Sequence, residues 1–164
     1  MKKTKIYLDT TVINFIYADD SPNYRDVTLD FFNDFVKTKL VDVYISDVVL
    51  KEINNTQNTE KRTRLLSKVK EYDFAVLEIN EEGKRLADIY LLEKIIPANK
   101  VEDAWHIGVS TVNEMDILLS WNFQHLANYN RKMKVRAVNQ RENYFYPLDI
   151  ISPLEYDNRR EIKN

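Results

Sequence analysis

Strand-like and helix-like segments alternate along most of this chain, and that alternation leaves few folds open. Residues 4–9 read as a first strand, with Ile6, Tyr7 and Leu8 as its apolar run. Thr10 to Tyr17 reads as a short helix with Val12, Phe15 and Ile16 on one face. Ser21-Pro22 opens a longer helix, with Ser as N-cap and Pro at the first helical position. Tyr24, Val27, Phe31 and Phe35 then recur at helical spacing, as the buried face of that helix. Val41 to Ile45 is a second strand, and Ser46 or Asp47 caps the short helix behind it. Residues 59–72 form a charged helix with Leu65, Leu66, Val69 and Tyr72 inward. Phe74 to Ile79 is a third strand, Asn80 caps a helix from Glu81 to about Lys94, and Ile96-Pro97 breaks it. Asn99 and Glu102 have the spacing of a capping box for a helix over Val101 to Val112. Ile117 to Ser120 is nearly all apolar, as in the buried centre of a parallel sheet. Asn122 caps a short helix over Phe123 to Tyr129, and Lys134 to Val138 is the expected last strand. The tail from Tyr144, with Pro147 and Pro153, is expected to wrap one edge of the sheet. This pattern implies an α/β sandwich around a parallel sheet. With 164 residues and no repeat or linker, one domain over 1–164 is expected.

In an open parallel sheet the carboxyl ends of the strands share one edge, and sites form there. Three acids fall at such places. Asp9 ends the first strand, Glu52 lies one helical turn past the second, and Asp103 is in the first turn of the helix over Val101 to Val112. Gathered together, three carboxylates repel one another unless a cation sits among them. An all-oxygen pocket of that kind suits Mg²⁺ or Mn²⁺, which points to metal-dependent phosphoryl transfer. Each acid also has a plainer reading. Asp9 is a favoured N-cap, Glu52 an ordinary solvated helix residue, and Asp103 a charge that complements a helix N-terminus. His106 and Ser110 share a helical face with Asp103, so His106 either approaches the site or packs half-buried beside it. Asp116 opens a strand and belongs at the opposite edge, as a turn residue.

Other chemistries are excluded. The chain has no cysteine, hence no disulfide, zinc-thiolate site or thiol nucleophile, which fits a cytoplasmic protein. No GxxxxGK[ST], GxGxxG or GxSxG occurs, and His106 and His125 are too far apart for HExxH. The first strand ends in Asp9-Thr10-Thr11, not in the DxD of an aspartyl-phosphate phosphatase. No apolar run approaches the ~20 residues of a membrane span, and the N-terminus lacks a signal-peptide core. A net charge of −2 gives no bulk attraction to nucleic acid, so the clusters Lys61 to Lys70 and Arg131 to Arg136 are either solvated faces or phosphate contacts.

Four blocks then resemble, in order and spacing, the motifs of PIN domains, the nuclease domains of VapC-like toxins. They are Leu8 to Ile13, Ser46 to Ile53, Asp103 to Ser110 and Asp116 to Phe123, within residues 4–140. The resemblance implies a three-layer α/β/α sandwich with a parallel sheet of strand order 3-2-1-4-5. It also implies Mg²⁺- or Mn²⁺-dependent cleavage of RNA, with a metal-activated water as the nucleophile. Asp9, Glu52 and Asp103 match the first three acidic positions. The fourth, two residues after Ser120, is Asn122, an amide where many PIN domains carry an acid. That change bears on a second ion more than on the first. Thr10, Thr11 and Ser120 are the expected supporting hydroxyls. Expected partners are RNA, an antitoxin protein and, if the chain dimerises, a second copy of itself, with no membrane. The rival expectation is a non-catalytic module of the same fold that binds RNA or protein. A metal-dependent phosphatase for small molecules is disfavoured by the missing phosphate loop.

Overall fold

The computed structural model describes residues 2–163. Five parallel strands form one sheet in the order β3-β2-β1-β4-β5. They are β1 (Lys5–Leu8), β2 (Asp42–Ser46), β3 (Ala75–Leu77), β4 (Ile117–Leu119) and β5 (Asp149–Ile151). Tyr7 faces Tyr44 on one side and Leu118 on the other, and Leu118 faces Ile150, so β1 is the central strand, with β4 beside it. Their side chains are almost wholly buried, as expected of strands covered on both faces.

The helices are α1 (Thr10–Asn14), α2 (Pro22–Phe31), α3 (Asp47–Asn54), α4 (Thr59–Tyr72), α5 (Glu81–Leu92), α6 (Val101–Val112), α7 (Tyr129–Arg141) and α8 (Pro153–Lys163). From β1 the chain winds outward through β2 to β3, then returns to β4 and winds the other way to β5. Right-handed crossovers therefore put α1 to α4 on one face and α5 to α7 on the other. The contacts agree: α5 packs on α6 and α7, α1 on α3 and α4, and α2 on α8. The winding reverses between β1 and β4, and a crevice opens at their carboxyl ends.

Several local expectations are realised. Ser46 caps α3 through Val48 N–H, and Asn80 caps α5 through Gly83 N–H. Asp116 sits at the amino edge of β4, where it accepts from Lys5 N–H (2.8 Å) and the Tyr146 hydroxyl. Others are corrected. Residues 134–138 are not a strand but lie inside α7. Val135, Val138 and Asn139 are its buried residues, an i, i+3, i+4 spacing, and Asn128 caps its start. The fifth strand comes instead from the tail, which supplies Asp149-Ile150-Ile151 to the edge. Asn99 and Glu102 form no capping box, because α6 begins one residue later, with Lys100 at the N-cap and no side-chain bond there. Residues 123–128 form turns, not a helix. Helix α2 continues into a wider π-helical turn over Phe32–Val36, and its Tyr24 is 38% exposed rather than buried.

The chain has two glycines, and they meet. A Cβ on Gly108 of α6 would lie 2.3 Å from the carbonyl oxygen of Gly83 on α5. The two backbones touch there, which fixes α6, and with it Asp103 and His106, against the sheet.

Candidate metal and phosphoryl-transfer site

Asp9 follows β1 directly and is buried. Its Oδ1 accepts from Thr11 N–H (3.0 Å) and the Thr11 hydroxyl (2.5 Å), and its Oδ2 accepts from the Ser120 hydroxyl (2.5 Å). It is therefore the N-cap of α1 and also faces the crevice between β1 and β4. Burial raises its pKa to about 6, against the lowering pull of His106 and of its hydroxyl partners. An acid that is disfavoured as an anion, at the mouth of a crevice, is a candidate functional residue.

Glu52, on α3, is half-buried. Its Oε1 accepts from the Thr10 hydroxyl (2.8 Å) and lies 2.5 Å from His106 Nε2. Burial raises its pKa, but the hydrogen bond and charge of His106 outweigh that and hold it below the usual carboxylate range. His106 is buried, and burial lowers its pKa. The Glu52 bond and the charges of Glu52, Asp9 and Asp103 outweigh this and raise it. With both ring nitrogens protonated, Nε2 donates to Glu52 and Nδ1 to the Tyr7 hydroxyl (2.6 Å). Tyr7 in turn lies 2.7 Å from Ser46 Oγ.

Asp103 lies in the first turn of α6, and burial raises its pKa. Its Oδ2 accepts from Asn122 Nδ2 (3.2 Å). The side-chain Oδ1 of Asn122 accepts from His125 N–H (2.9 Å), and the backbone N–H of Asn122 donates to Ser120 Oγ (2.9 Å). So Asn122 presents its NH₂ group, not its oxygen, to Asp103. A stacked group of Phe15, Tyr24 and Trp121 holds the loop after Ser120 in place.

Asp9, Glu52 and Asp103 thus come from three separate elements to one sheet edge. Thr11 and Ser120 orient the first, Thr10 the second and Asn122 the third. Sequence reasoning assigned no part to Tyr7. A tyrosine in the middle of a wholly buried strand was the available signal, because its hydroxyl must find partners.

The donor set fits a hard divalent cation in kind. It is all oxygen, and Glu52 Oε2 and Asp103 Oδ1 accept no hydrogen bond from the described residues. Still, among the described residues no three His, Asp or Glu side chains are already arranged around one ion. Glu52 is turned onto His106 instead. Also among the described residues, no helix is long and apolar enough to cross a membrane.

No known family's sequence profile matches the chain, and no curated protein matches it. Nine chains of solved structures do. One belongs to the crystal structure of VapBC-5 from Mycobacterium tuberculosis, a member of the VapBC family of toxin–antitoxin systems. It is 16% identical, aligned over 91% of this chain and 98% of its own, with a TM-score of 0.48.

Proposed function

We propose that this chain is a Mg²⁺- or Mn²⁺-dependent endoribonuclease of PIN-like fold, the toxin of a type II toxin–antitoxin pair that works in the cytoplasm. One observation carries the reading: Asp9, Glu52 and Asp103 share the carboxyl edge of the sheet at the point where its winding reverses, and burial disfavours the charge of Asp9 and of Asp103. A site that holds anions at such a cost suits a cationic occupant.

Asp9, Glu52 and Asp103 would hold the ion. Bound there, it would acidify the attacking water and offset charge on the phosphate oxygens. The chain's own residues do the positioning. Thr11 and Ser120 fix both oxygens of Asp9, so that carboxylate keeps one orientation. Thr10 and His106 fix Oε1 of Glu52 and leave Oε2 free. Burial lowers the pKa of His106, but Glu52, Asp9 and Asp103 together raise it, and when protonated it partly balances the negative charge of the cluster. Asn122 keeps Asp103 turned toward the crevice. The toxin role, with an antitoxin and a second copy of the chain as protein partners, rests on the resemblance of the four sequence blocks.

The test is cleavage of a labelled single-stranded RNA. Wild type should cut with Mn²⁺ or Mg²⁺ and stop in EDTA, and Asp103→Asn should be inactive yet folded. Undiminished cutting by Asp103→Asn, or in EDTA, refutes the reading. A second reading, a non-catalytic RNA-binding module, is favoured by the turn of Glu52 onto His106 and by the amide at position 122. Titration calorimetry separates the two: the enzyme takes up Mn²⁺ and loses that uptake in Asp9→Asn, whereas the module shows no such binding.

A further inference from the structure

Around the start of α7 lies a cleft of about 470 Å³ lined by Lys94, Gln124, Asn128, Tyr129, Arg131 and Lys134, among others, with no acid in its lining. We propose that this cleft holds the backbone of a single-stranded RNA as it leaves the carboxylate cluster, with Tyr129 as a platform for one base. The proposal rests on the ribonuclease reading and adds the path of the substrate.

Three observations carry it. First, α7 divides its cations by face. Lys132 pairs with Asp149 at 2.7 Å, and Arg136 lies 3.5 Å from the same carboxylate. Arg131 and Lys134 point the other way, into the cleft. Among the described residues neither they nor Lys94 have a carboxylate partner, although Arg131 donates to the Ile95 carbonyl. Cations without acidic partners around a concave surface are what a phosphate backbone requires. Second, Tyr129 is 70% exposed at the rim, and an exposed ring beside cations is the usual platform for an unstacked base. Third, hydrogen bonds link the site to the lip of the cleft. Asn122 bonds to the Asp103 carboxylate and to the His125 N–H, and His125 is the chain neighbour of Gln124 in the cleft lining. A strand of phosphates that leaves Asp103 can therefore pass Asn122 and His125 and reach Arg131 and Lys134 in the cleft.

The experiment is fluorescence anisotropy of a labelled mixed-sequence RNA dodecamer in EDTA, so that cleavage plays no part. The proteins are wild type, the double variant Lys94→Ala/Lys134→Ala, Tyr129→Ala, Tyr129→Phe and, as a control far from the cleft, Lys37→Ala. Each single-strand phosphate contact contributes about 0.7 to the slope of log K against log salt, so the double variant should lose about 1.4 of that slope. Tyr129→Ala should bind at least about fivefold more weakly, as loss of one stacked base implies, and Tyr129→Phe should bind like wild type. The control should match wild type. Cleft variants that bind with wild-type affinity and salt slope overturn the proposal, and so does a wild type that binds no RNA. Cutting in Mn²⁺, measured separately, isolates the other reading. If wild type cuts while cleft variants bind unchanged, the cleft is wrong and the nuclease stands. If the cleft binds RNA that is never cut, the cleft stands and the nuclease does not.

Discussion

Asp9→Asn should make the metal-free protein more stable, and only above a defined pH. The Asp9 carboxyl is buried, and its pKa rises from 3.8 to about 6. Below pH 3.8 the acid is protonated whether the chain is folded or not, and it has no effect on stability. Between 3.8 and 6 the folded state keeps a proton that the unfolded state has released, so stability falls as pH rises. Above 6 the full penalty applies. Two pKa units at ~1.4 kcal/mol each give about 3 kcal/mol. Asparagine resembles the neutral acid: its oxygen can still accept from Thr11, and its NH₂ group can donate to Ser120. Part of the gain is lost with the charge-assisted bond from Ser120, typically ~1.5 kcal/mol or more. At roughly 2–4 °C per kcal/mol for a chain of this size, the net rise in Tm should be about 3–6 °C at pH 7.5. Thermal unfolding in EDTA at pH 7.5 and pH 4 measures it. At pH 4 the variant should be level with wild type or below it. Mn²⁺ should then raise the Tm of wild type and leave the variant unchanged. A variant no more stable than wild type at pH 7.5, or one that gains equally at pH 4, refutes the account of Asp9 as a strained anion.

Two further outcomes follow from side-chain geometry. Gly108→Ala should lower the Tm well below that of Gly83→Ala, because its Cβ would lie 2.3 Å from a backbone carbonyl, whereas at Gly83 the nearest atom is a flexible Ile79 carbon at 3.0 Å. Overpacking costs roughly 1–3 kcal/mol against ~1 kcal/mol gained in helix propensity, and thermal melts in which Gly108→Ala equals Gly83→Ala contradict the close crossing. Asn122→Asp replaces a donor to Asp103 by a like charge, so it should lower metal-free stability and tighten Mn²⁺ binding in calorimetry. Unchanged Mn²⁺ affinity means this side chain does not contribute to the ion site.

The sequence was most legible where an apolar run closes on a polar residue. Asp9, Ser46 and Ser120 each close an apolar run, so the carboxyl edge of the sheet could be placed from pattern alone. Caps at Ser46 and Asn80 were legible for the same reason, as local bonds between neighbours. The last strand was not. Asp149-Ile150-Ile151 is too short to show a period, while Val135 and Val138 in α7 suit either a strand or a helix. The union of Glu52 and His106, 54 residues apart, was beyond local pattern, since only packing of α3 against α6 brings them together. That contact decides the charge of the cluster, so the electrostatics were less legible than the placement.

The backbone bond from Ser120 N–H to the Ile151 carbonyl (3.0 Å) has a consequence for the order of synthesis. Every residue assigned to the carboxylate cluster lies at or before position 122, yet the loop that carries Ser120 is pinned by a strand translated later. A nascent chain arrested before Asp149 would contain all the acids and hydroxyls of the site. It would still leave β4 as an open edge and the Ser120 amide without its acceptor. The loop that carries Ser120 thus gains its last backbone anchor only when the tail has been made.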